Sequence, residues 1–218
     1  HNHPSAIEPY AGANTGLGGV IRDILGAGLG ARPIGSVDVF CLGSPEVDRA
    51  QLPPGVIHPL GIFRGVVQGV RDYGNRMGIP TLAGAIRFAP DYTYNPLVFC
   101  GTVGILPTED VQKQIRPGQV LMTAGGRTGR DGLHGATFSS DTLSHESHEE
   151  DQGSVQIGNP IEEKKVLDFL LEARRQGLLE HINDCGAGGY SSAVGEMVEE
   201  TGGRVDLENV PLKEEGMD

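Results

Sequence analysis

The first residues of the chain carry its densest set of side chains that could act on a substrate. His1-Asn2-His3 places two imidazoles on either side of a carboxamide, and Arg22-Asp23 follows after a stretch rich in glycine. An imidazole has an ordinary pKa of about 6.5 and can act as a base at neutral pH, while a guanidinium and a carboxamide can hold an anion. The segment therefore predicts a site for a phosphorylated substrate.

The same residues also have structural interpretations. A pair of histidines two residues apart can be satisfied by backbone groups or by a carboxylate. Arg22 and Asp23 could form a surface ion pair, which typically contributes only ~0–1 kcal/mol to stability. We favour the functional interpretation, because ion pairs of that kind rarely need glycine-rich surroundings.

Two later segments contain further candidates. Asp184 precedes Gly186-Ala187-Gly188-Gly189, where its carboxylate could hold Mg²⁺ through oxygen or could instead cap the following helix. The glycine loop at 125–135 offers arginines and backbone N–H groups to a phosphate, or alternatively forms a tight turn closed by an Arg127–Asp131 pair. The acidic, histidine-containing stretch at 145–151 is typical of a solvated charge run, with a metal-binding cluster as the alternative.

Composition excludes several function classes. The chain has 218 residues, 38% of them apolar, and a formal net charge of -12, which repels nucleic acid and is not offset by a basic stripe. No apolar run approaches the roughly 20 residues of a membrane span, and no signal peptide is visible, so we expect a cytoplasmic protein without a membrane partner. Its three cysteines are far apart and are expected to be reduced core thiols.

Alternating and helical patterns predict the elements that would hold these residues. Residues 1–5 alternate up to Pro4 and are expected to end a strand. Residues 15–27 follow as a helix whose first turn, containing Gly16, Gly18 and Gly19, could face an anion. The remaining predicted strands are 36–42, 79–83, 97–105 and 119–123, and the remaining predicted helices are 60–77, 162–176 and 191–201.

This order predicts an α/β protein with two domains. The first αβ domain is expected to span 1–107 and the second 118–218, with a polar, proline-punctuated linker at 108–117. Because a chain normally begins with Met, we interpret the sequence as a piece of a longer polypeptide. We expect the first domain to lack its opening segment and the second to be truncated.

Four motifs give the sequence a family resemblance. HNHPSAIEPYAGANTGLGGVIRD, GRTGRDGLHGATFSS, SVQIGNP and DCGAGG occur in this order. Together they resemble the synthetase subunits of phosphoribosylformylglycinamidine synthase, in the superfamily of aminoimidazole ribonucleotide synthetase. The resemblance covers essentially the whole chain and implies the superfamily's N-terminal domain followed by an incomplete C-terminal αβα domain.

The resemblance also implies a reaction. The family is a carbon–nitrogen ligase of purine biosynthesis that uses ATP and Mg²⁺ to phosphorylate the amide oxygen of formylglycinamide ribonucleotide. Ammonia from a glutaminase then displaces phosphate from the iminophosphate, giving the amidine. The implied partners are the substrates, the glutaminase and small accessory subunits, and a dimer is possible.

Seven residues match positions with a role in the family. The resemblance implies His1 as the general base, Asn2, His3, Arg22 and Gln156 as substrate-binding residues, and Asp23 and Asp184 as magnesium ligands. It also implies an ATP-contacting lysine and a metal-binding glutamate before His1 and a Glu-Ser-Gln segment after residue 218. We therefore expect the isolated piece to be inactive.

Two departures from the family pattern concern its local network. The family usually has Gly-Gly-Glu at residues 83–85 and Asp at 159, where this chain has Ala83-Gly84-Ala85 and Asn159. Two other classes of function stay open as alternatives. One is a different ATP-using member of the superfamily, such as a small-metabolite kinase, and the other is a non-catalytic module that docks subunits.

Overall fold

The computed structural model of the chain describes residues 1–130, 132, 135, 155–156 and 158–217. The chain divides into two compact units. Unit 1 comprises His1–Ile21, Ile34–Val103 and the described residues of 131–160. Unit 2 comprises Arg22–Pro33, Gly104–Arg130 and the described residues of 161–218. The glycine loop at 125–135 is described only in part, and the acidic stretch at 145–151 lies outside the described residues.

The described part of the chain contains one three-stranded sheet. Strand β1 (Arg32–Leu42) lies between β2 (Thr81–Phe88) and β3 (Leu97–Ile105), and it runs parallel to β2 with Val37 opposite Ala83. The more buried face of β1 carries Ser36, Asp38, Phe40 and Leu42. The predicted boundaries of β3 are confirmed, whereas β1 starts four residues before the predicted strand and β2 extends five residues beyond it.

Three helices, α1 (Asn2–Ile7), α2 (Pro9–Leu25) and α3 (Pro59–Met77), precede or follow β1. Helix α3 confirms the predicted 60–77. It begins with Pro59 behind an N-cap at His58, whose Nδ1 accepts a hydrogen bond from the Leu60 N–H at 3.1 Å. It ends at Gly78, whose φ of 72° is the left-handed conformation that glycine adopts easily.

Residues 1–5 do not form a strand, because Asn2–Ile7 is helical. Proline is tolerated in the first turn of a helix, where its missing N–H leaves no intrahelical bond unmade, so Pro4 does not terminate the segment. Burial of Pro4, Ser5 and Ile7 on one side then favours the helix. The strand prediction was wrong because alternation over five residues does not distinguish the two structures.

Glycine in α2 serves helix packing, which corrects the expectation that Gly16, Gly18 and Gly19 open a helix toward an anion. The helix begins at Pro9, so all three lie in its interior. A Cβ on Gly18 would lie 2.5 Å from the phenol oxygen of Tyr73 in α3, and one on Gly12 would lie 2.6 Å from the Ser5 nitrogen in α1. Their missing side chains allow α1 and α3 to pack closely against α2.

Unit 2 is built mainly from irregular chain. Its helices are α4 (Pro160–Arg175), whose first residue belongs to unit 1, and α5 (Tyr190–Met197), close to the predicted 162–176 and 191–201. No regular strand forms at 119–123, where Val120 and Met122 are exposed rather than paired. That strand prediction was wrong because alternation alone supplies no partner strand.

Cysteine burial matches the sequence prediction in two of three cases. Cys41 and Cys100 are free and buried, whereas Cys185 is free but exposed, so it is not a core thiol. Cys185 lies between Asp184 and the glycines at 186–189, in the exposed loop before α5. Among the described residues, no helix is long and apolar enough to cross a membrane.

Candidate active site

The seven predicted site residues fall into two groups, one in each unit. The base cluster in unit 1 consists of His1, Asn2, His3 and Gln156. The carboxylate cluster in unit 2 consists of Arg22, Asp23 and Asp184.

His1 stands at the N-cap of α1 and is exposed. Its Cβ lies where a side chain on Gly16 would be, since a Cβ built there would approach it to 2.9 Å. The close approach to α2 fixes the base of the His1 side chain, and the solvent-facing position leaves it accessible to a ligand. This arrangement suits a base that must exchange protons with a substrate.

Asn2 and His3 connect α1 to the segment around β3. The Asn2 Oδ1 accepts a hydrogen bond from the Val98 N–H at 2.8 Å, and the Asn95 Nδ2 lies 3.3 Å from the His3 Nε2. The side-chain oxygen of Asn2 thus holds α1 in place, while the side-chain nitrogen Nδ2 could still donate a hydrogen bond to a ligand.

Gln156 reaches the base cluster through its backbone. The hydroxyl of Thr15 donates to the Gln156 carbonyl at 2.6 Å, and a Cβ on Gly158 would lie 2.8 Å from both Asn14 and Tyr73. The Gln156 side chain is exposed. Since Thr15 adjoins Gly16 in α2, Gln156 and His1 contact consecutive residues of one helix.

The carboxylate cluster joins the last turns of α2 to the loop before α5. The Arg22 Nε donates to the Asp184 Oδ2 at 3.1 Å. Partial burial and the negative charge of Asp184 raise the pKa of Asp23, and the charge of Arg22 partly offsets the rise. Asp184 is not a helix cap, because the N-cap of α5 is Gly189.

Gly26 explains how these acids approach each other. A Cβ on Gly26 would lie 3.3 Å from the Asp184 Oδ1 and 3.4 Å from the Asp184 nitrogen. The chain just after Asp23 therefore lies close beside Asp184. The sequence DCGAGG drew attention to the later glycines, whereas this contact depends on a glycine 158 positions earlier.

The donor set fits a hard divalent cation. Mg²⁺ is commonly bound through one or two carboxylates together with water and substrate phosphate oxygens, and Asp23 and Asp184 supply two carboxylates close enough for the charge of Asp184 to act on Asp23. Among the described residues, no group of three or more His, Cys, Asp or Glu side chains could hold a metal. The cluster therefore suits a cation shared with a phosphorylated ligand better than a closed structural site.

The described part of the glycine loop is tied to the chain near residue 212. The Arg127 Nη1 donates to the Leu212 carbonyl at 3.3 Å, and the Thr128 N–H donates to the Pro211 carbonyl at 2.9 Å. The alternative pair of Arg127 with Asp131 lies partly outside the described residues. The same holds for a phosphate nest over the whole loop.

Sequence patterns missed two residues beside the carboxylate cluster. The Asn183 Nδ2 donates to the Glu196 Oε2 at 2.8 Å, which ties the loop to α5. Lys113 contacts the chain on both sides of the cluster. Asn183 stands next to Asp184 and could have been noticed, but nothing in the spacing of Lys113 indicates its position.

Two family models match the chain. The description "AIR synthase related protein, N-terminal domain" matches residues 1–106, and "AIR synthase related protein, C-terminal domain" matches residues 116–218. The chain belongs to the AIR synthase related family. Both predicted halves of the fold class, an N-terminal and a C-terminal domain of this kind, are confirmed.

Within this family, the chain is similar to curated subunits of one enzyme. The chain is 45% identical to the phosphoribosylformylglycinamidine synthase subunit PurL of Thermoplasma acidophilum over 221 residues, which cover all of the chain and 28% of that protein. It is 44% identical to the same subunit of Salinibacter ruber, with the same shares covered. The chain thus spans less than a third of the length of these relatives.

Solved structures give the same result. The match to PurL of Thermotoga maritima complexed with FGAR covers the whole of this chain and 33% of the PurL chain, with a TM-score of 0.77 and 39% identity. The match to the same protein complexed with ATP covers the whole of this chain and 31% of the PurL chain, with a TM-score of 0.74 and 37% identity. The recognition made from the four motifs is confirmed.

Proposed function

We propose that the chain is part of a phosphoribosylformylglycinamidine synthase. The parent enzyme would convert formylglycinamide ribonucleotide, ATP and ammonia to the amidine, ADP and phosphate. The observation that carries the proposal is the carboxylate cluster, in which one guanidinium and two acids lie together. The similarity to PurL over the full chain, and the FGAR and ATP complexes of that relative, support it.

The carboxylate cluster would handle the charge of phosphorylated substrates. A bound Mg²⁺, held by Asp23 and Asp184, would neutralise phosphate charge. Arg22 pairs with Asp184 in the structure. When substrate and cation bind, the Arg22 guanidinium would contact a substrate phosphate and the Asp184 carboxylate would contact the cation. Because both charges are replaced together, the exchange leaves no buried charge without a partner.

The base cluster would handle the proton of the reaction. When the amide oxygen of the substrate attacks the γ-phosphorus of ATP, the amide nitrogen must lose a proton to give the iminophosphate. His1, which is exposed and whose Cβ lies beside Gly16, would take that proton. Gln156, the Asn2 carboxamide and the His3 imidazole would orient the substrate.

The remaining predicted properties belong to the parent enzyme. We infer that it is cytoplasmic, that its ammonia comes from a glutaminase, and that small accessory subunits complete the complex. A solved structure named PurLQS from Thermotoga maritima, 37% identical over the whole chain with a TM-score of 0.72, supports the existence of such partners. The family resemblance also implies a dimer of the parent enzyme.

One observation favours the second candidate, a subunit-docking module. Large apolar side chains of the sheet are exposed in unit 1. They are Leu82, Ile86 and Phe88 on β2 and Phe99 and Val103 on β3. A surface of this kind commonly marks a protein contact. A docking surface is compatible with catalysis, so we propose that the parent ligase also binds a protein partner through these side chains.

The test uses the complete synthetase subunit that contains this chain. ADP release and amidine formation are measured with formylglycinamide ribonucleotide and ammonia, and a panel of other phosphorylated metabolites tests for kinase activity. We expect amidine formation, and we expect His1→Ala to reduce kcat by about 10²–10⁴-fold while the far-ultraviolet circular dichroism is unchanged. Near-normal turnover of His1→Ala would reject the base assignment, and ADP release with another metabolite alone would reject the ligase.

A further inference from the structure

Lys113 contacts the two chain segments that carry the acids of the carboxylate cluster. Its Nζ donates to the Gly26 carbonyl at 2.7 Å and to the Ile182 carbonyl at 2.6 Å. Gly26 follows Asp23 by three residues, and Ile182 precedes Asp184 by two. One ammonium group thus joins the end of α2 to the loop that supplies the second acid.

The two hydrogen bonds of the Lys113 side chain are separate from the backbone hydrogen bond that holds the segment around Lys113. The neighbouring Gln114 N–H donates to the Glu180 carbonyl at 3.0 Å, so the 113–114 segment stays attached to residues 180–182 without the lysine side chain. Removing the ammonium would therefore release the Gly26 and Ile182 carbonyls from each other while Gln114 stays bonded to Glu180.

The geometry around Gly26 is tight enough for such an anchor to matter. Gly26 is buried, and a Cβ on it would lie 3.3 Å from the Asp184 Oδ1, so the two segments are close together. A small displacement of either segment changes the separation of the two acids. Lys113 itself is half-buried, and its charged donors are the kind that make short, strong bonds to carbonyl oxygens.

We propose that Lys113 is a positioning residue that sets the separation of the Asp23 and Asp184 carboxylates and thereby the affinity of the pair for a divalent cation. The inference rests on the proposed function, since it assumes that these acids hold the cation. Lys113 touches neither substrate nor cation in this role. It acts only through the two backbone carbonyls.

The sign of the effect distinguishes positioning from electrostatics. An ammonium near two carboxylates repels a cation, and the charges of Asp184 and Lys113 are close enough to interact. If Lys113 acted only through its charge, removing it would strengthen cation binding. If it acts through position, removing it weakens cation binding although a repelling charge has been lost.

The test measures Mn²⁺ binding to the complete synthetase subunit by the electron paramagnetic resonance signal of free Mn²⁺, so it does not depend on turnover. Lys113→Met keeps the length of the stem without charge or donors, and Lys113→Gln is a second uncharged variant. Lys113→Arg keeps both charge and donors. Lys165→Met changes the net charge equally at an exposed position of α4 and serves as the control.

We expect Lys113→Met and Lys113→Gln to weaken Mn²⁺ binding by about tenfold, in the range typical for residues that orient metal ligands, and Lys113→Arg to restore most of it. Lys165→Met should leave it unchanged. Amide hydrogen exchange should become faster at residues 24–27 and 182–185 in the uncharged Lys113 variants only. Equal or tighter Mn²⁺ binding by these variants, or unchanged exchange, would overturn the positioning role.

Asp184→Asn separates failure of this inference from failure of the proposed site. If the unchanged protein binds Mn²⁺ and Asp184→Asn does not, the cation site stands, and the Lys113 variants decide the positioning role alone. If the unchanged protein does not bind Mn²⁺, or if Asp184→Asn binds it equally well, the proposed cation site is rejected and the role of Lys113 toward it is rejected as well.

Discussion

The two units are stabilised in different ways. Unit 1 contains most of the buried apolar side chains, including Leu17, Ile21, Val66, Tyr73 and Val98. In unit 2, the buried apolar residues are few and mostly small, such as Ala31, Ala173 and Ala193 beside Leu25 and Leu167. Its loops are held instead by charged side chains that bind backbone carbonyls, as Lys113 and Arg174 do.

This difference indicates which interactions hold the residues of each cluster in position. His1, Asn2 and His3 of the base cluster lie at the start of α1, which packs against α2 through glycine contacts, so shape holds His1 in position. The carboxylate cluster joins the last turns of α2 to a loop that is held by a few charge-assisted hydrogen bonds, so single polar side chains control its geometry. Apolar packing tolerates little change in volume, whereas the anchors are sensitive to the loss of donors.

Truncation of a buried leucine should show the largest contrast. We expect Leu17→Ala in unit 1 to lower the free energy of unfolding by about 3–5 kcal/mol and Leu167→Ala in unit 2 to cost about 2 kcal/mol, because looser surroundings collapse more readily around a cavity. Urea unfolding of each variant, monitored by circular dichroism, measures both. Equal costs would remove this distinction between the units.

A methyl group added to α2 should reveal the steric role of its glycines. Gly18→Ala would place a Cβ 2.5 Å from the Tyr73 ring, and overpacking of this kind costs about 1–3 kcal/mol. Gly19→Ala is the matched control, since nothing lies within 4 Å of its Cβ position. We expect it to raise stability by about 0.5–1 kcal/mol through helix propensity. Thermal unfolding of both variants tests the pair, and a neutral Gly18→Ala would contradict the packing.

Loss of a charged anchor should destabilise unit 2 without changing its apolar core. Arg174 donates to the Gly30 carbonyl and lies 3.5 Å from the Asp110 carboxylate, with 18% of its side chain exposed. We expect Arg174→Met to cost about 1–3 kcal/mol, since it leaves a buried carbonyl and a carboxylate without their partner. The neighbouring Arg175 is 73% exposed, so Arg175→Met should have no measurable effect.

The smallest expected effect is a shift in a titration. Burial and Asp184 raise the pKa of Asp23, so the folded state holds this proton more tightly than the unfolded state. Asp23 therefore reduces stability as pH rises from its ordinary pKa to the raised one. Asp184→Asn should lower the pKa of Asp23, and Arg22→Gln should raise it further. Carbon-13 spectra of labelled aspartate during a pH titration would show both, and shifts in the reverse direction would contradict the cluster.

Sequence patterns found the elements that are stabilised by their own periodicity. Helix α3 and strand β3 have regular apolar spacing and clear boundaries, and both were predicted closely. The start of α2 was missed because its glycines have low helix propensity, which tertiary packing against α1 and α3 overrides. Residues 119–123 alternate but find no partner strand among the described residues.

The motifs predict seven site residues, but they do not predict the interactions that hold these residues in place. The pairing of Arg22 with Asp184 joins residues 162 positions apart, and Lys113 is 69 positions from the carbonyl of Ile182. No local pattern encodes contacts over such distances. The contact of Gly26 with Asp184 could not be predicted either, because it joins residues 158 positions apart.

Strand β2 has a practical consequence for handling the protein. Every one of its residues is exposed, including Leu82, Ile86 and Phe88, and it lies at the edge of the sheet. Exposed edge strands favour aggregation, and the net charge of -12 opposes it by repulsion between molecules. That repulsion extends only about 10 Å in 0.1 M salt. Colloidal stability of a concentrated solution is therefore expected to decrease as salt is added.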